Sequence, residues 1–421
     1  MASLNANIDS DQTQPAQVSH GFMLRYLMAV LGIYLAVMTP VTITLAIRVA
    51  TLAPDSKASS LGFILGVGAL VAMVANPLLG QLSDLTRSRF GRRKPWVVGG
   101  MLVAIVALLG LGSASSLMVV ALYWWLTQIA INASLAALVA VIPDRIPKQQ
   151  RGRLSALSGM SSNLAIFAGA AIINVVGTGD IWMFVVPGVL GLALVAVFAA
   201  FYPEPEVADL PPRPFQPLAM LRNFLINPRD YPDFSWAWLS RFLVQYGASV
   251  MMTYQVYYLM DVVGFTNLTV GRPVFIASLV MGGSIVVMSL ISGWLSDVLG
   301  RRKIFVFVAS LVYAAGLALL VFGSSLSVFL AAILVSSCGL GIYLAVDQAL
   351  VVDVLPSRAE DAAKNMGIFN ISNVAPQSLA PATAPLFLAI GGGGNYSALF
   401  CAAAVIAVLG ALAVIPIKGV R

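Results

Sequence analysis

Twelve apolar stretches divide this chain, at about 23–52, 59–82, 96–113, 117–142, 154–176, 181–202, 234–262, 271–296, 304–323, 326–354, 366–390 and 395–416. A bilayer core is crossed by roughly 20 helical residues, so the stretches are of spanning length. Hydrocarbon offers the backbone no hydrogen-bond partners, which leaves only helices and closed barrels, and the alternation of a barrel is absent. An all-α integral membrane protein is therefore expected. Only 10% of the 421 residues are charged, against about a quarter in a soluble domain.

The stretches repeat. Gly80-Gln81-Leu82-Ser83-Asp84 precedes a basic run ending Gly91-Arg92-Arg93-Lys94, and Gly293-Trp294-Leu295-Ser296-Asp297 precedes Gly300-Arg301-Arg302-Lys303. Six residues separate Asp84 from Gly91 and two separate Asp297 from Gly300, so the first copy carries a four-residue insertion. Beyond it, Gly91 and Gly300, Lys94 and Lys303, and Asp144 and Asp353 are each 209 residues apart. A constant offset over so many landmarks marks a duplicated membrane unit. Between the copies, Pro203, Pro205, Pro211, Pro212, Pro214, Pro217, Pro228 and Pro232 give a linker composition, with one short interfacial helix expected near Leu218–Leu225. The expected organisation is a tail (1–22), a six-helix half (23–202), a linker (203–232), a second six-helix half (233–416) and a tail (417–421).

Of the 24 Lys and Arg residues, 20 fall in the termini, the linker and alternate loops of one side. The other side holds Arg48, Lys57 and Arg272. By the positive-inside rule both termini are cytoplasmic, in a multi-pass protein of the plasma (inner) membrane. The net charge of +7 is thus a topology signal and implies no nucleic-acid partner. Cys338 and Cys401 lie in apolar spans and read as buried small side chains, and His20 is the only histidine, so no metal site or disulfide is expected. Residues 1–20 lack a basic n-region and carry Asp9 and Asp11, which argues against a cleavable signal. No nucleotide loop, metal cluster or nucleophile constellation supports an enzyme, and no cofactor is implied.

The Asp-to-Gly-Arg-Arg-Lys loop at the end of a span resembles the signature loop of the major facilitator superfamily, and span count, linker and duplication agree along the whole chain. The resemblance implies twelve transmembrane helices in two pseudo-symmetric halves. It also implies that Asp84 and Asp297 dock on a helix end of the other half and on a neighbouring basic side chain. Gly80, Arg92, Arg93, Asp144, Gly293, Arg301, Arg302 and Asp353 complete a cytoplasmic gate, with Gly80 and Gly293 allowing close helix approach. The expanded first copy, with Pro143-Asp144-Arg145 and Gln150-Arg151-Gly152-Arg153, resembles the sugar-cation symporters, both glycoside-pentoside-hexuronide and sucrose-proton types. The second span lacks the cation-binding acid of the former group and the fourth offers Gln128 and Asn132 without a carboxylate, which argues against sodium. The fifth span lacks the Gly-Pro pair typical of drug-proton antiporters.

Charges within the spans carry the next step, because each costs about 2.5–3.5 kcal/mol on insertion scales unless it faces a cavity or a partner. Asp347 in the tenth span and Arg241 in the seventh form the candidate proton-coupling pair, the rival role being a permanent structural ion pair. Arg48, near the outer end of the first span, reads as snorkelling. Polar side chains recur at helical spacing: Arg241, Gln245, Met252 and Gln255; Trp125, Gln128 and Asn132; Asn370, Asn373 and Gln377. Amides donate and accept, and rings such as Tyr246, Tyr254, Tyr257 and Tyr258 cover the apolar faces of sugars, which suits a neutral polyhydroxy ligand. For any one of these residues, interhelical hydrogen bonding is the competing role. Asn76-Pro77 reads as a kink.

The expected function is secondary transport of a small-molecule substrate by a monomer in the lipid bilayer, as proton-coupled symport of a sugar or similar neutral polar solute, with the proton gradient as energy source. A proton-driven exporter of an amphipathic metabolite and a non-transporting receptor on the same fold remain open.

Overall fold

A computed structural model of this protein describes residues 17–202, 204, 231–354, 362–391 and 393–418, with the side chains of all but 148, 156, 352–354, 362–368 and 370. The expected linker helix lies outside the described residues. Within them every regular element is helical. The twelve long helices are α1 (His20–Leu52), α2 (Lys57–Leu85), α3 (Lys94–Ser113), α4 (Leu117–Val139), α5 (Lys148–Val176), α6 (Trp182–Phe201), α7 (Pro232–Asp261), α8 (Gly271–Leu299), α9 (Arg302–Phe322), α10 (Leu326–Val354), α11 (Ala362–Leu388) and α12 (Tyr396–Leu412). They follow the apolar stretches closely.

Nine of these helices are both long and apolar enough to cross a membrane among the described residues, and α12 is a shorter apolar helix. The two that remain are α7 and α11. They carry the Arg241–Gln245 and Asn370–Gln377 stripes, and α11 also has Pro376, Pro381 and Pro385 in its interior. Polar groups placed inside a span lower its hydropathy, so these two helices depart from the simple pattern because of what they present.

Local chemistry explains the ends. Ser116 and Asn395 accept hydrogen bonds from the N–H groups of Val119 and Ala398, capping α4 and α12. Gly300 ends α8 at φ 61°, a left-handed conformation that glycine adopts without a Cβ penalty. Arg48, expected to snorkel, donates to the carbonyl of Ala114 at the C-terminal end of α3, where a cation meets the negative end of the helix dipole. Cys401 also departs from expectation, being exposed on the outer surface of α12, while Cys338 is half-buried.

The interior of α1 holds a feature the apolar pattern does not announce. Pro40–Thr44 forms a π-turn between α-helical segments His20–Thr39 and Leu45–Leu52. Proline has no N–H to give to the preceding turn, and the ladder resets around it.

Packing repeats with the sequence. α1 lies against α5 and α6, α2 and α3 against α4, and α3 against α6; six helices later α7 lies against α11 and α12, α8 and α9 against α10, and α9 against α12. The two sets touch through α2 with α11, α5 with α8, and α1 with α7. The hydrogen bonds that join the sets among the described residues gather at one face. Tyr257 Oη donates to the Ala46 carbonyl (3.0 Å), Tyr254 Oη to Ala58 (3.2 Å), and Asn267 Nδ2 to Thr51 Oγ1 (3.3 Å). This face is opposite the one that carries the two repeated loops. Among the described residues the two sets are thus joined at the opposite face.

Candidate functional site

Arg241 of α7 and Asp347 of α10 meet. Arg241 Nη1 donates to Asp347 Oδ2, with Arg241 4% and Asp347 1% exposed. Among the described residues Asp347 is the one buried carboxylate. The guanidinium is held on two further sides: Nε donates to Asn373 Oδ1 of α11 (2.7 Å), and the Phe369 ring lies 4.3 Å beneath Cζ. Gln245, one turn after Arg241, donates more weakly to the same Asn373 oxygen (3.4 Å). Gln377 Nε2 reaches the Asn373 carbonyl (3.2 Å) and is exposed. The Tyr343 hydroxyl, one turn before Asp347, lies near the carboxylate outside hydrogen-bond geometry. The i, i+4 spacing of Arg241 with Gln245 and of Asn373 with Gln377 brings these side chains to one place on neighbouring helices.

The stripe on α4 has a different occupation. Trp125 Nε1 donates to the Ile64 carbonyl (3.1 Å), Gln128 Nε2 to that of Gly68 (3.4 Å), and Asn132 Oδ1 accepts from Asn76 Nδ2 (3.0 Å). These residues zip α4 to α2. Gln128 Oε1 is buried without a partner. Tyr254 is fully buried, its hydroxyl shared between the carbonyls of Ala58 and Pro381, so it holds the closed face together. Gln255 is buried with a long contact to the Met252 carbonyl (3.5 Å). The side chain of Asn370 lies outside those described.

At the loop-bearing face the two copies differ. In the first, Arg93 is 4% exposed, pairs with Asp84, bonds Asp144 through Nη2 (3.0 Å) and Ser83 through Nη1 (3.0 Å), and Arg92 adds a second contact to Asp144 (2.7 Å). Glu204, after α6, accepts from the backbone N–H groups of Arg92 (2.8 Å), Arg93 (2.6 Å) and Lys94 (3.0 Å), a negative charge at the start of α3. In the second, Asp297 is 71% exposed and 3.6 Å from Arg302, which donates to the Ala349 carbonyl (3.1 Å), while Arg301 is exposed. The Asp353 side chain lies outside those described.

Asp84 was expected to reach a helix end of the other half and a neighbouring basic side chain; it pairs with Arg93, and residues 355–361 and the side chains 362–368 of the other half lie outside those described. Gly80 and Gly293 were expected at close approaches, and this expectation is corrected: an added Cβ would meet nothing nearer than Ala136 at 3.6 Å and Ala345 at 4.0 Å, ordinary contacts.

Sequence reasoning missed a second charged group, at the opposite face. Lys57 at the start of α2 pairs with Asp261 at the end of α7, and Tyr396 of α12 donates to Asp261 Oδ2 (2.6 Å). Lys57 Nζ also lies 5.3 Å from the Tyr257 ring centre. This pair joins the two sets of helices. The signal available was the scarcity of charge on that side, which makes each charge there informative. Replacing Asp261 by Asn should raise labelling of a cysteine at Thr51 from the opposite face about fivefold, corresponding to about 1 kcal/mol for a partly solvated pair. Unchanged labelling would assign the pair no part in closure.

With this geometry in place, comparison with known proteins decides the family. The model of the Major Facilitator Superfamily matches residues 21–287 and 237–419. The chain belongs to that superfamily. Among solved structures, the nucleoside transporter NupG superposes with a TM-score of 0.70 at 14% identity, covering 94% of this chain and 98% of that one. The D-xylose-proton symporter gives 0.70 at 14%, covering 96% and 98%. A bacterial homologue of the human lysosomal transporter Spinster, described as inward-facing and unoccupied, gives 0.67 at 14%, covering 94% and 96%. At such identities the likeness concerns the fold. An uncharacterised symporter of Synechocystis sp. is 49% identical over 41 residues, which are 10% of this chain and 8% of that protein.

Proposed function

We propose that this superfamily member is a secondary active transporter that moves a small polar solute by alternating access, coupled to protons. The buried Arg241–Asp347 pair is the observation that carries this. A charge pair removed from water and assembled from α7 and α10, with Asn373 of α11 as a third member, changes its proton occupancy when the contact is broken. The described contacts that join the two sets lie at the opposite face, which makes the loop-bearing side the proposed route by which a solute reaches it. On this reading the loop-bearing face is cytoplasmic, and Lys57–Asp261 and the α2–α11 contact close the outer side.

The substrate class rests on the amides. Gln245, Asn373 and Gln377 present donors and acceptors beside the pair, and uncharged groups of that kind suit the hydroxyls of a sugar or similar neutral solute. The resemblance of the first loop to sugar-cation symporters points the same way, and the matches to a xylose-proton symporter and an uncharacterised symporter are compatible with it. The protein would act as a monomer in the plasma (inner) membrane with the proton gradient as its only energy source.

The deciding experiment is the current evoked in proteoliposomes by a panel of mono- and disaccharides, with and without an imposed pH gradient. A sugar-evoked current that grows with the gradient is expected. Folded protein that responds to no sugar would remove the sugar assignment and leave the export of amphipathic compounds as the next test.

A further inference from the structure

Two hydroxyls border the buried ion pair, and the contacts described above use neither. Ser240 stands beside Arg241 on α7 and is 1% exposed, while Tyr343, one turn before Asp347 on α10, is fully buried. The Tyr343 hydroxyl lies near both the Asp347 carboxylate and the Ser240 hydroxyl. Yet neither oxygen is in hydrogen-bond geometry with any described residue. A buried hydroxyl that bonds nothing has given up its partner in water for no return, and native proteins keep few of them. Two such groups side by side, against a charge pair, point to a second arrangement of the same side chains.

The chemistry of the pair says what that arrangement is. Arg241 Nη1 donates to Asp347 Oδ2, and a charge-assisted donor outcompetes a neutral hydroxyl for the carboxylate. Among the described residues Arg241 is the charged group that acts on Asp347; α8 and α9, which also pack on α10, bring none to it. When the guanidinium leaves, Asp347 therefore loses its strongest partner in a place closed to water. A carboxyl that has taken up a proton still has a carbonyl oxygen that accepts, and a tyrosine hydroxyl both donates and accepts. The spacing of four residues puts Tyr343 and Asp347 on one face of α10, so a side-chain rotation is enough to join them.

We propose that Tyr343 is a positioning residue for the proton on Asp347: when the ion pair opens, its hydroxyl donates to the carboxyl in place of Arg241, and the Ser240 hydroxyl donates in turn to Tyr343. Asp347 takes its proton from water, and tyrosine and serine keep theirs, so only hydrogen bonds are exchanged. This role rests on the proton-coupled reading given above.

Infrared difference spectra of the full chain in lipid, recorded between high and low pH, test it. The wild type should show a carboxylic-acid carbonyl band that is missing in Asp347→Asn, which identifies the band. Tyr343→Phe keeps the ring and removes the hydroxyl, and it should move this band to higher wavenumber, because a carbonyl that loses a hydrogen bond stiffens. Ser240→Ala should move it the same way by less, and it carries the test should Tyr343→Phe lose its fold. Thermal stability of Tyr343→Phe in detergent should not fall, since the hydroxyl bonds nothing in the described state. A band lost in Asp347→Asn but unmoved in Tyr343→Phe would overturn the role of Tyr343 and leave proton coupling standing. The absence of any band that depends on Asp347 would overturn the proton-coupled reading, and this role with it.

Discussion

Asp347→Asn should abolish the proposed proton-driven solute accumulation while exchange of solute down its own gradient persists. Asn keeps the shape of the protonated carboxyl and cannot ionise, so the site is fixed in one of its two charge states. The same change strips the counter-ion from a guanidinium that is 4% exposed, and removing one partner of a buried pair costs about 3–5 kcal/mol. A fall in thermal stability should accompany the transport defect. The double variant Arg241→Gln with Asp347→Asn separates the two effects, because it leaves no unpaired charge. Stability should recover in it, measured by thermal unfolding in detergent, while accumulation does not. A double variant that recovered pH-driven accumulation as well would reduce the pair to a structural clamp between α7 and α10.

Gly62→Val should have the second large effect. A Cβ at this position of α2 would lie 2.2 Å from the Pro381 carbonyl oxygen of α11 and 3.1 Å from the Tyr254 hydroxyl. The carbonyl belongs to the backbone and cannot swing aside, so α2 and α11 must separate, and Tyr254 loses its place between Ala58 and Pro381. Overpacking of this kind costs about 1–3 kcal/mol, which is a shift of about 5- to 150-fold away from the state closed at the opposite face. Cysteine labelling at Thr51 from that face should rise accordingly. Gly282→Ala in α8, where nothing lies within 4 Å, serves as the comparison and should not destabilise the protein. Equal behaviour of the two variants would show that the α2–α11 approach does not govern closure.

Much of this architecture is legible along the chain, for identifiable reasons. Spans follow from hydropathy because hydrocarbon leaves the backbone no alternative to helices, and the duplication follows from landmarks at constant separation. Arg241 and Asp347 stand out because charge is costly among apolar residues, and the structure joins them although 106 positions separate them. What periodicity cannot supply is the identity of the neighbour. The α4 stripe has the spacing of a ligand-facing surface, but its residues are spent on Ile64, Gly68 and Asn76 of α2. The Lys57–Asp261 pair was missed because each residue, taken alone, is an ordinary charge at a helix end.

The π-turn at Pro40–Thr44 has a practical consequence for mapping the path through the protein. Such a turn adds about one residue to the helical count, a rotation of roughly 100°. Positions before and after it that share a sequence phase do not share a side of α1. A residue-by-residue accessibility profile along His20–Leu52 should therefore fit one periodic wave up to Thr39 and a second, displaced wave from Leu45, and a single wave fitted through both would assign the wrong side chains to the solute path.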